Sequence, residues 1–125
     1  MSAPAARLLV IDDDADIREV VVLIFEQLGY EVDELADGID AVRLQKEYDV
    51  ILLDLNLPVF DGERLFDYWS LSDPARLARV IVLSGYSRFA RGRQLDVFGT
   101  LRKPFDTKEL VAMVEKCVGK VATSS

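Results

Sequence analysis

The chain has 125 residues, half of them hydrophobic and 30% charged, which suits one globular domain with an ordinary core and leaves little room for a second. Its net charge of −7 opposes nonspecific attraction to nucleic acid or anionic lipid. There is no histidine and only one cysteine, Cys117, so a Ser-His-Asp or Cys-His arrangement and an internal disulfide are excluded, and zinc is a poor candidate. No apolar run approaches the roughly 18 to 20 residues that cross a bilayer. With no signal-type start, the expected location is cytoplasmic.

Apolar runs of strand length alternate with stretches of helical period. Leu8–Ile11 is a short continuous apolar run ending in acid, as expected of a strand buried on both faces. Ile17, Val20, Val21, Ile24 and Leu28 are spaced as one face of a helix, with Asp14 or Asp16 to cap its start and Gly29 to end it. Tyr30–Leu35 alternates loosely as a second strand. Asp37-Gly38 then turns into a shorter helix expected to carry Ile39, Val42 and Tyr48 inward.

Val50–Leu53 is the most strongly apolar strand and ends in Asp54; the segment through Asp61, with Pro58, is a loop. A helix is expected from Gly62 to about Leu71, with a connecting turn at Asp73-Pro74. Val80–Leu83 is a fourth buried strand, ending in Ser84-Gly85. A weak helix over Phe89–Leu95 leads to a short fifth strand near Thr100–Arg102. The last helix is capped by Asp106 and buries Leu110, Met113 or Val114, and Cys117. The alternation predicts an α/β (βα)5 fold: a doubly wound parallel sheet of five strands with helices on both faces. Residues 7–119 form the domain, with a disordered lead-in over 1–6 and a flexible tail over 120–125.

In such sheets function collects beyond the carboxyl ends of the strands, where strand order reverses. The first strand ends in Asp12-Asp13, the third in Asp54, the fourth in Ser84 and the fifth in Lys103, whose backbone is restricted by Pro104. Taken singly, these residues are a helix cap, a loop acid, a turn residue and a surface charge. Their coincidence at successive strand ends is what points to chemistry. Three carboxylates brought together resist ionisation unless a cation joins them, and Mg²⁺ suits a few carboxylate oxygens plus water. A lysine and a hydroxyl beside them suit phosphate oxygens. The set reads as a carboxylate nucleophile, a hard divalent ion and a cationic clamp for a transferred phosphoryl group.

These residues resemble the receiver domains of two-component response regulators over about residues 7–119. Val10-Ile11-Asp12-Asp13-Asp14 is similar to the family's acidic opening, and Leu52–Pro58 to its phosphoacceptor strand and loop, continued by Asp61-Gly62. Val82-Leu83-Ser84-Gly85 resembles the hydroxyl motif and Lys103-Pro104-Phe105 the lysine motif. The resemblance implies a flavodoxin-like fold. It implies phosphorylation of Asp54, with Mg²⁺ (or Mn²⁺ in its place) held by Asp12, Asp13, Asp54 and the backbone carbonyl of Asn56. Lys103 would pair with the phosphoryl oxygens, and Ser84 would bond one of them and move inward.

The implied donor is a histidine kinase or histidine phosphotransfer protein, since the chain has no histidine of its own. The implied output is a downstream protein partner, with a phosphorylation-dependent homodimer as a further candidate. The short ends suggest a stand-alone receiver or one excised from a larger regulator or hybrid kinase. A haloacid-dehalogenase-type phosphatase is the competing enzymatic reading, but that class resembles Asp-x-Asp-x-Thr, whereas this chain reads Asp54-Leu55-Asn56-Leu57-Pro58. Three positions depart from the family or modify its pattern. Thr100 stands where an aromatic switch residue is usual, with Phe98 as a candidate substitute. Gly85 provides phosphate access, but Tyr86 beside it is large and suited to shielding. Arg88, Arg91 and Arg93 form a basic cluster in the region the family uses for output contacts.

Overall fold

The computed structural model describes residues 6–84 and 97–123, with side chains described through residue 119. Gly85, Tyr86, the Arg88–Arg93 cluster and the helix expected over Phe89–Leu95 lie outside the described residues. In chain order the elements are β1 (Arg7–Ile11), α1 (Ala15–Gln27), β2 (Glu31–Leu35), α2 (Gly38–Val42), β3 (Val50–Asp54), α3 (Gly62–Ser72), α4 (Pro74–Leu77), β4 (Val80–Ser84), β5 (Gly99–Arg102) and α5 (Thr107–Thr123).

The five strands form one parallel sheet in the order β2-β1-β3-β4-β5. β3 and β4 are buried at every residue, which is why their sequences are apolar without alternation. Successive residues point to opposite faces. Leu9, Ile11, Ile51, Leu53, Val80 and Val82 therefore meet Ala41 of α2, Leu65 and Trp69 of α3 and Leu77 of α4 on one side. Leu8, Val10, Val50, Leu52, Ile81 and Leu83 meet Val21 and Phe25 of α1 and Leu110, Val114 and Cys117 of α5 on the other. The doubly wound architecture read from the sequence, a parallel sheet of five strands with helices on both faces, is thus the observed one. Among the described residues no helix is long and apolar enough to cross a membrane.

Local chemistry sets the helix ends. Asp14 caps α1, its side chain accepting from the Asp16 and Ile17 amides. At the other end Gly29 takes φ 91°, a left-handed conformation that side chains disfavour. That turn lets the Tyr30 amide bond the Phe25 carbonyl at 2.9 Å and the Gly29 amide the Glu26 carbonyl at 3.0 Å. The Phe25 and Tyr30 rings meet edge to face at 5.2 Å, the apolar contact that accompanies this type of helix stop. Asp61 caps α3 through a 2.8 Å bond from the Arg64 amide. Asp61→Ala is expected to cost about 1 kcal/mol of unfolding free energy, read by urea denaturation.

Several sequence expectations require correction. The buried stripe of α1 is Val21 and Phe25 with Ile17 and Ile24 packed beside them, at offsets of four, seven and eight residues. Val20, 43% exposed, lies off that stripe, and Leu28, 45% exposed, follows the last helical turn and points outward. In and after α2, Val42 packs against the core and Tyr48 is buried as expected, but Ile39 is 47% exposed; Gly38 and Ala41 are the buried positions of the helix, whose start packs against Phe60. Asp73-Pro74 opens the one-turn helix α4 rather than a bare turn, with Pro74 at a first-turn position where its missing N–H is harmless. Of the alternatives in the last helix, Val114 is the fully buried residue and Met113 the partly buried one.

Candidate functional site

Sequence-adjacent strands leave β1 in opposite directions: β2 pairs on one side and β3 on the other. A crevice opens at that reversal, beyond the carboxyl ends of β1 and β3. Asp12 and Asp13 follow β1, and Asp54 ends β3. One carboxylate oxygen from each of these three lies within 4.8 Å of the others. Asp12 and Asp54 are buried, whereas Asp13 is exposed and forms the open side of the cluster.

Each buried carboxylate is tied down by the backbone. Asp12 Oδ1 accepts from the Asp14 amide at 2.9 Å, and Asp54 Oδ1 accepts from the Asn56 amide at 3.0 Å. Lys103 crosses from β5, reaching past β4, to place Nζ 2.8 Å from Asp12 Oδ2 and 3.4 Å from Asp54 Oδ2. The lysine's own amide is fixed by a 2.8 Å bond to the Ser84 carbonyl, and its peptide bond to Pro104 is cis. Ser84, buried, lies one residue past the Asp54–Leu83 pair and so ends beside the cluster. Asn56 presents an exposed side chain on the loop above β3.

Burial pushes the Asp54 carboxyl up to about 6, reinforced by the Asp12 charge and opposed by the Asn56 amide and by Lys103. Burial also opposes the Lys103 ammonium, but its bonds to Asp12 and Asp54 outweigh that and raise its pKa. One ammonium does not balance three carboxylates. The donor set is all oxygen, one side is open, and the remaining negative charge calls for a hard divalent cation such as Mg²⁺; the residues fit that ion.

The candidate switch positions separate. Thr100 pairs with Val82 in the β4–β5 ladder and is half-buried. Phe98 packs with the cluster on the α1 and α5 side, among Leu101, Leu110 and Met113. Gly99, facing Met113, also belongs to that side, so Thr100 faces the other. Sequence reasoning gave no role to Arg18 or Glu34, read Asp37 only as a turn residue and Gly62 only as a helix start and motif residue; all four support the site. Asp37 caps α2 and accepts from the Val59 and Phe60 amides at 2.8 and 3.0 Å, clamping the loop that follows Asp54. Burial opposes its ionisation, but these amides, with Ile39 and Gly38, more than offset it and lower its pKa. An aspartate followed by glycine is too common a turn signal to reveal that clamp.

Residues 8–115 match the family model described as the response regulator receiver domain. Protein Rrf1 of Nitratidesulfovibrio vulgaris is 37% identical over 122 residues, covering 94% of this chain and 86% of its own. The chain spans only 13% to 50% of the length of three other curated relatives. Among solved structures, the receiver domain of the sensor histidine kinase PA1611 from Pseudomonas aeruginosa, with magnesium coordinated in its active site cleft, is 30% identical. Its TM-score is 0.79, with 91% of this chain and 98% of that one covered. Response regulator TrrA of Thermotoga maritima, in complex with Mg(2+)-BeF, gives 27% identity and a TM-score of 0.77 over 89% of this chain and 97% of its own. The sheet order, the acidic crevice and the match over most of its length make this chain a member of the response regulator receiver domain family.

Proposed function

We propose that Asp54 accepts a phosphoryl group from the phosphohistidine of a partner kinase or phosphotransfer protein, in a reaction that depends on Mg²⁺. The observation that carries this reading is the meeting of Asp12, Asp13 and Asp54 within 4.8 Å, with the Lys103 ammonium on two of them. Asp12, Asp13, Asp54 and the Asn56 carbonyl would hold the ion, which would supply charge neutralisation at the phosphoryl group. The carboxylate oxygen of Asp54 forms a bond to phosphorus as the phosphorus–nitrogen bond of the donor breaks. The electron pair leaves on the imidazole nitrogen, which takes up a proton. Lys103 turns from the carboxylates to the phosphoryl oxygens, its charge already desolvated and aimed. The Ser84 hydroxyl donates to one of those oxygens, and its inward shift reaches Thr100 through the adjoining β5. Phe98 has no part in this readout, since it packs on the opposite face. The switched state changes binding to a downstream protein partner.

The test is intact-mass measurement after incubation with Mg²⁺ and acetyl phosphate. One added phosphoryl group is expected on the wild type and none on Asp54→Ala; an adduct that persists in Asp54→Ala sinks the assignment. Lys103→Met separates the lysine's two electrostatic roles. Removing its charge should tighten Mg²⁺ binding severalfold in calorimetric titration while slowing phosphorylation about tenfold. A parallel fall in both would show that the lysine's role is mainly structural.

A further inference from the structure

The Asp12–Asp13 peptide is held from outside the cluster by a side chain that no step above uses. Arg18, in the first turns of α1, donates from Nη1 to the Asp12 carbonyl at 2.7 Å. Its Nε donates to Glu34 Oε1 of β2 at 2.9 Å. The arginine side chain is only 18% exposed. The β1–β3 ladder ends at the Ile11–Leu53 pair. The Asp12 amide is bonded to the Leu35 carbonyl at 3.1 Å, and the guanidinium takes the carbonyl on the other side of the residue. The peptide plane that joins the two acids is therefore fixed at its oxygen by a forked, planar donor.

We propose that Arg18, braced by Glu34, is a positioning residue that fixes the Asp12–Asp13 peptide and thereby aims the Asp13 carboxylate at the divalent cation. This rests on the reading of Asp12 and Asp13 as Mg²⁺ ligands. Rotation of that peptide would swing the exposed Asp13 away from Asp54, while Asp12 would stay held by the Asp14 amide and Lys103. Asp13 has no such tether described, so its direction depends on the backbone that Arg18 holds. The guanidinium reaches the peptide as an outer partner of the ligands, and such partners typically set tenfold or more in metal affinity.

Charge and positioning predict opposite signs, which makes the role measurable. Removing a cation near a divalent ion should tighten Mg²⁺ binding by Coulomb's law. Freeing the peptide should weaken it. Mg²⁺ is titrated calorimetrically into the wild type, Arg18→Met and Arg18→Lys, with metal-free melting curves recorded alongside. The proposal expects the Mg²⁺ dissociation constant to rise about tenfold in Arg18→Met. In Arg18→Lys, a lysine reaching the Asp12 carbonyl loses the Glu34 brace, and a rise of about threefold is expected. A folded Arg18→Met that binds Mg²⁺ as tightly as the wild type, or more tightly, overturns the positioning role even if its melting temperature falls. If Arg18→Met does not fold, wild-type affinity in Arg18→Lys overturns it instead. A wild type that binds no Mg²⁺ removes the metal reading itself, and this proposal with it.

Discussion

Gly62→Ala should lower the midpoint of thermal unfolding by about 10 °C, equivalent to about 2–3 kcal/mol. A Cβ on Gly62 would lie 2.5 Å from the Asp54 carbonyl oxygen and 2.6 Å from the Leu55 Cα. Both are main-chain atoms of the strand end that carries Asp54, so no side chain can swing aside. The start of α3 must separate from the end of β3, straining the 3.1 Å bond from the Gly62 amide to the Leu55 carbonyl. Displacing Asp54 on that scale should slow phosphorylation by acetyl phosphate about a hundredfold, although no reacting group has been changed. Gly119→Ala is the matched control. Its Cβ would meet nothing within 4 Å, and its place inside α5 predicts a gain of about 0.5–1 kcal/mol. Equal behaviour of the two variants in melting and phosphorylation assays would refute the close-approach argument.

In Mg²⁺-free buffer at pH 7, Asp54→Asn should be more stable than the wild type by about 2 kcal/mol. Burial lifts the carboxyl to about 6 from its ordinary 3.8, so the folded chain keeps its proton over a range where the unfolded chain has lost it. Across that interval unfolding releases a proton, and wild-type stability falls as pH rises, levelling off above 6. Asparagine does not titrate. The variant's advantage should therefore be complete at neutral pH and disappear below about pH 4. Mg²⁺ should reverse the order, since saturation to a hundred times the dissociation constant stabilises the binding-competent form by about 2.7 kcal/mol. Urea titrations from pH 4 to 8, with and without Mg²⁺, would show both trends; a variant no more stable than wild type at any pH would count against a strained carboxylate.

The sequence made the sheet and the crevice legible for the same reason. Central parallel strands must be apolar on both faces, so an acid at the end of such a run, as at Asp12 and Asp54, marks where the strand leaves the core. Lys103 could be assigned from its place after a short strand beside Pro104. The faces of α1 and α2 were read less well, because α1 carries more apolar residues than its buried stripe needs. Val20 and Leu28 were placed inward while Phe25 was passed over. The support around the site was invisible for a different reason. Arg18 meets Glu34 across 16 residues and Asp37 meets Phe60 across 23, contacts with no periodic signature. Gly62 declares its role only through main-chain atoms brought beside it by the fold.

Lys103 and Asp12 lie 91 residues apart, and their 2.8 Å contact joins the last strand to the first. Closing a contact of such long sequence separation costs more chain entropy than closing a local one. A polypeptide still missing β5 can display the acids of β1 and β3, but it has nothing to hold the lysine over them. On the proposed reading, a chain that has not completed its sheet is therefore expected to accept a phosphoryl group poorly.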